Sequence, residues 1–92
     1  MIRSFRSKAL RRLAERGDAS KLSVPNVRRA EAILVRLDMA TRPEQMNAPG
    51  LRFHAIKGRE KGRYAADASG NWRITFAWDG EDAVEVDLED YH

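Results

Sequence analysis

Residues 89–92, Glu89-Asp90-Tyr91-His92, place two carboxylates, a phenol and an imidazole side by side. Imidazole titrates near pH ~6.5, which suits it to moving protons close to neutrality. The other histidine, His54, stands in the segment RFHAIKGREKGR (52–63), where Lys57, Arg59, Lys61 and Arg63 surround it with cations. Arg73 falls between Trp72 and Ile74 in an alternating run. A guanidinium fixed on a strand can grip a phosphate through two parallel hydrogen bonds. Together these residue types describe proton transfer beside an anion that cations hold.

Each group also has a plainer use. Residues 89–92 can be a solvated acidic tail, and His54 a hydrogen-bonding strand residue. Arg73 can be a cross-strand ion pair with Glu85 or Asp87. His and Asp are metal-ligand types, but the chain offers no second ligand set at metal spacing and has no cysteine, so no metal site and no cofactor are expected. Gly58 and Gly62 do not form the GxxxxGK[ST] pattern of a phosphate-binding loop.

Charge is distributed unevenly. Residues 79–92 contain half of the 14 acids and no Lys or Arg, so residues 1–78 carry all 17 Lys and Arg. That excess would attract a polyanion and gain from counterion release, although an Arg-rich soluble surface would look the same. The 92 residues form one domain, 1–92, and 42% hydrophobic content is enough for a packed core. The start, MIRSFRSKALRRL, lacks the apolar run of a signal peptide, and no stretch approaches a membrane span. A cytoplasmic protein without membrane contact is the expectation.

The elements that must position these groups are legible in outline. Residues 2–5 suit a short edge strand. Residues 7–16 place Ala9, Leu10, Leu13 and Ala14 on one helical face, and Gly17 is a fitting stop. A second helix should begin within residues 23–26, with a Ser cap and Pro25 in its first turn. Its stripe is Val27, Ala30, Leu34 and Leu37, with Arg28, Arg29 and Arg36 off it. The rest reads as strands: 51–57, 63–67, a run in which Trp72, Ile74, Phe76 and Trp78 alternate with polar and small residues, and a last strand with Val84, Val86 and Leu88 inward. Short connections favour antiparallel pairing. The predicted class is α+β, with two N-terminal helices on one face of a small, mostly antiparallel sheet of four or five strands. Arg73 and Thr75 then point to the open face.

The combination of LRFHAIKG (51–58), GNWRITF (70–76) and a closing DYH, after the opening MIRSF, resembles the HigB toxins of the RelE superfamily. The resemblance spans the chain. It implies a RelE-like, microbial-RNase-like fold and a type II toxin that cuts message in the ribosomal A site. It implies a helix-turn-helix, HigA-like antitoxin as partner, with the toxin alone a monomer and the complex a hetero-oligomer. Catalytic positions of that family fall on His54, Asp90, Tyr91 and His92, and basic positions near the scissile phosphate on Lys57 and Arg73. Arg59, Lys61 and Arg63 would add contacts to RNA. The implied reaction is attack by the substrate's own 2′-hydroxyl, giving 2′,3′-cyclic phosphate and 5′-hydroxyl ends without a metal. The alternative is a non-catalytic module of the same fold that binds RNA, ribosome or antitoxin.

Overall fold

The structure is a computed structural model and describes residues 1–58 and 61–90. Two helices, α1 (Lys8–Arg16) and α2 (Val27–Met39), precede a four-stranded antiparallel sheet. Its strands are β1 (His54–Ala55), β2 (Arg63–Ser69), β3 (Trp72–Asp79) and β4 (Asp82–Asp90), and they lie in chain order. The α+β class with helices on one sheet face matches the sequence expectation. Among the described residues no helix is long and apolar enough to cross a membrane.

Local chemistry explains the helix limits. The Ser7 hydroxyl accepts from the Leu10 N–H and caps α1. Gly17 ends it in the left-handed conformation (φ 66°) and returns its N–H to the Leu13 carbonyl. α2 is capped by Asn26, whose side chain accepts from the Arg29 N–H. The expected Ser cap is therefore replaced, and Pro25 lies ahead of the helix instead of in its first turn. The Asn26 N–H in turn donates to Ser69 Oγ at 3.1 Å, which ties the helix start to the end of β2.

The two apolar helical faces close over the sheet. Leu10 and Leu13 of α1 join Ala30, Ile33, Leu34 and Leu37 of α2 against Ile74, Phe76 and Val86. Phe76 is fully buried, a side chain worth about 1.5–3 kcal/mol of burial free energy. It is also the centre of an aromatic row. Tyr64 stacks on it at 5.8 Å, Phe53 stacks on Tyr64 at 5.6 Å, and Trp78 meets it edge-on at 6.1 Å. Phe53 thus anchors the short β1 to the core although β1 itself pairs over only two residues.

Three features depart from the sequence reading. The strand expected over 51–57 is reduced to His54–Ala55. Arg52, with φ 49°, takes the left-handed conformation and interrupts the ladder, although single bonds at Leu51 and Ile56 continue it on either side. Residues 2–5 do lie at the sheet edge, but as two isolated parallel bridges, Ile2 to Ala83 and Phe5 to Val86, on the free side of β4. Last, β4 contains a bulge. Ala77 faces Val84 and Thr75 faces Asp87, so Phe76 opposes two residues, Glu85 and Val86. Glu85 absorbs the extra residue at φ 54°. The strand changes phase there. Ala83 and Val86 are the buried residues, and Val84, expected inward, turns to the outer face with Ala77.

Candidate active site

Register assembles the outer face row by row, since paired residues in an antiparallel ladder point the same way. His54, Ala65, Thr75 and Asp87 form one row across all four strands. Asp67, Arg73 and Glu89 form the next. His54 and Arg73, 19 positions apart in the sequence, therefore share a face in adjacent rows. They also line one polar cleft of about 540 Å³, together with Arg52, Phe53, Asp67 and Trp72.

His54 is exposed and its ring is oriented. Nδ1 lies 2.8 Å from the Arg52 carbonyl oxygen. A carbonyl only accepts, so Nδ1 carries a hydrogen, and in the neutral ring Nε2 holds the lone pair. The left-handed turn at Arg52 is what brings that carbonyl back to residue 54. The same residue that ends the regular strand thus sets the tautomer of the imidazole.

Arg73 is half-buried in mid-strand. Neither Glu85 nor Asp87, the pairings considered from sequence, stands directly opposite Arg73 in the register. Asp87 sits opposite Thr75, and the Glu85 carboxylate accepts from Arg6 Nε at 3.0 Å. Arg73 is flanked by Asp67 and Glu89 instead. Each of these has a further partner: Arg52 Nε lies 3.6 Å from Asp67, and the Thr75 hydroxyl donates to Glu89 Oε2 at 2.5 Å.

Asp90 is exposed at the end of β4, opposite Trp72. By parity it belongs with Trp72 and Ile74 on the helix side, one position beyond the outer-face Glu89. Trp72 is a wall of the cleft, so Asp90 stands directly across the ladder from that wall. Tyr91, His92 and Arg59 lie outside the described residues.

The expected cations separate. Lys57 and Lys61 are exposed and line a second hollow of about 400 Å³ beside β1 and β2, not the cleft of His54 and Arg73. Arg63 differs most from a surface phosphate contact. It is 5% exposed, and its Nη2 donates to Thr75 Oγ1 at 2.9 Å and to the Glu85 carbonyl at 2.8 Å. Thr75 is fully buried. A brace of Arg63, Thr75 and Glu89 therefore runs across β2, β3 and β4 beneath the outer face. Sequence reasoning placed Thr75 on that face and grouped Glu89 with the terminal proton-handling residues, but gave no role to Asp67 or Arg52. A mid-strand Thr between two outward charged strands was the available signal. Among the described residues, no group of three or more His, Cys, Asp or Glu is placed to hold a metal ion.

This is a small sheet whose outer face joins an oriented imidazole to a strand-borne guanidinium, with a carboxylate at the end of the last strand. The family of HigB-like toxins, described as RelE-like toxins of the type II toxin–antitoxin system HigB, matches residues 3–92. The chain is also 36% identical, over 92 residues and the full length of both proteins, to the endoribonuclease HigB of Proteus vulgaris. The chain belongs to the HigB-like toxin family, and a type II toxin has an antitoxin as its partner.

Proposed function

We propose that this toxin is an endoribonuclease that cuts message on the ribosome, in the A site, and so stops translation. The observation that carries the reading is the cleft shared by His54 and Arg73, with the His54 tautomer set by the Arg52 carbonyl. The full-length likeness to an endoribonuclease supports the same class of chemistry.

RNA brings its own nucleophile. The 2′-hydroxyl oxygen attacks the adjacent phosphorus, a new P–O2′ bond forms, and the P–O5′ bond breaks. The 2′-hydroxyl proton must leave to a base and a proton must reach O5′. The products are a 2′,3′-cyclic phosphate and a 5′-hydroxyl. His54 Nε2 is suited to accept or return a proton, a contribution of roughly 10²–10⁴-fold. Arg73 stabilises the extra charge on the phosphorane-like transition state, a term often as large or larger. Asp90, Tyr91 and His92 complete the proton-transfer and substrate-holding set. Lys57 and Lys61, in their own hollow, suit backbone phosphates away from the scissile one, and Arg59 extends that run. The reaction calls on no metal, because the nucleophile is internal to the substrate.

Ribosome dependence has a physical basis. The cleft is open, and nothing in it would splay a message and align O2′, P and O5′. A ribosome-bound codon arrives already ordered, which saves the entropic cost of alignment. The basic surface of residues 1–78 would meet ribosomal RNA. The neutralising partner would be a helix-turn-helix antitoxin of HigA type.

Mapping 5′ ends of message on translating ribosomes, with and without the protein, tests the reading. Cuts within A-site codons, bearing cyclic phosphate and 5′-hydroxyl ends, are expected, with weak cutting of free RNA. Products with 3′-hydroxyl and 5′-phosphate ends would overturn the mechanism. Equal cutting of naked RNA would overturn the ribosome dependence.

A further inference from the structure

The phase change at Glu85 creates a problem for the site. Without the bulge, continuing the Ala77–Val84 register would set Thr75 opposite Val86 and Arg73 opposite Leu88. Every later residue of β4 would change face, Asp90 with them. Something must hold β4 on both sides of the bulge at once, and the polar brace does so. Arg63 Nη2 grips the bulge itself through the Glu85 carbonyl, at 2.8 Å. The same Nη2 donates to Thr75 Oγ1 at 2.9 Å, and Thr75 donates its one hydroxyl hydrogen to Glu89 Oε2, beyond the bulge, at 2.5 Å. Thr75 thus uses its hydroxyl as acceptor and donor together. It is fully buried and Arg63 is nearly so, which favours short, directional bonds over exchange with water.

We propose that Thr75, through Arg63 and Glu89, is a positioning residue for RNA cleavage. It fixes the segment of β4 that carries Asp90 relative to Arg73 and His54. Thr75 shares a row with His54 and lies two residues from Arg73 on the same strand face, so it sits at the centre of what must be aligned without lining the cleft itself. It also keeps the Glu89 carboxylate engaged at a hydroxyl although Glu89 stands directly opposite Arg73.

This inference rests on the endoribonuclease reading, and the experiment separates the two. Wild type, Thr75→Val and Thr75→Ser are assayed for message cleavage on ribosomes. A wild type that does not cut removes the underlying reading. Given a cutting wild type, Thr75→Val, which keeps shape but loses both hydrogen bonds, should lose about 10- to 100-fold in kcat, the range for ~1 Å misplacement, with KM within about two-fold. Thr75→Ser keeps the hydroxyl and should return kcat to within about three-fold of wild type. Amide exchange should quicken in Thr75→Val at residues 87–90 and not at the Tyr64–Phe76 pairing. Cleavage by Thr75→Val within three-fold of wild type would overturn the proposal. So would a Thr75→Ser defect as large as that of Thr75→Val. Should Thr75→Val not fold, Glu89→Leu carries the test: the same loss in kcat at constant KM supports the proposal, and an unchanged kcat overturns it.

Discussion

Replacing Arg63 with Met separates two uses of one cation. As a phosphate contact, Arg63 would matter to RNA and little to stability. As the brace described above, it should matter to stability first. Its Nη2 makes two bonds of 2.9 and 2.8 Å at a site only 5% exposed. Hydrogen bonds from a charged donor contribute about 1.5–3 kcal/mol each. The cost of burying the guanidinium, several kcal/mol, is removed with it and offsets part of this. Met cannot serve the Glu85 carbonyl, which is left short of a partner at about 1–3 kcal/mol. The net expectation is a loss of about 2–4 kcal/mol from a domain whose whole stability is of order 5–15 kcal/mol. For a domain this small, each kcal/mol shifts Tm by about 4–8 °C. Urea unfolding of Arg63→Met should therefore show a clearly lower midpoint at unchanged slope, and the thermal midpoint should fall by roughly 10–25 °C. A loss below about 1 kcal/mol, together with weaker RNA binding, would refute the brace and restore the phosphate contact.

Four other outcomes are expected. His54→Ala should lower message cleavage by about 10²–10⁴-fold while stability, measured by urea, changes by about 0.5 kcal/mol or less, since the side chain is exposed. Lys57→Ala and Lys61→Ala should each reduce the slope of log affinity against log salt for single-stranded RNA by about 0.7, read by fluorescence titration. Gly17→Ala should cost about 1 kcal/mol in the same unfolding assay, because the α1 cap holds φ 66°. The Asp18 carboxyl is held below its ordinary 3.8 by the Ser20 hydroxyl first, then by the Ser20 N–H. A lowered folded pKa adds stability above the ordinary value and loses it as pH falls through the folded one. Ser20→Ala should thus raise the Asp18 titration seen by NMR and flatten that acid limb.

The helices were legible because their signals are local. Leu10 with Leu13, and Ala30, Leu34 and Leu37, repeat at helical spacing, and Gly17 marks a stop that any helix there would use. The alternation from Trp72 to Trp78 likewise fixed both faces of β3, and with them the outward course of Arg73. What could not be read depends on partners in other strands. A Glu in the left-handed conformation carries no signature of its own, so the bulge at Glu85 and the outward turn of Val84 follow only from the β3 ladder and the residues 2–5 edge. Arg52 is the same case: its positive φ shortens β1 and orients His54, yet its residue type predicts neither. Arg63 looked like one more cation of a basic segment. Its burial is decided by Thr75 and the Glu85 carbonyl, which come from strands made later.

The parallel edge formed by residues 2–5 has a consequence for how the molecule comes into being. Arg6 meets Glu85 and Ser4 meets the Glu85 N–H across 79 and 81 positions of chain. Such contacts carry a loop-closure cost before they return any stability, and they slow folding. The opening residues therefore wait through synthesis for a strand that emerges long after them. β3, bearing Arg73, waits as well for its second neighbour. The cleft walls come from residues 52–73, ahead of β4, but the bonds from Arg63 to the Glu85 carbonyl and from Thr75 to Glu89 form only once β4 has paired. The strand made last among the described elements therefore closes the brace that spans β2, β3 and β4.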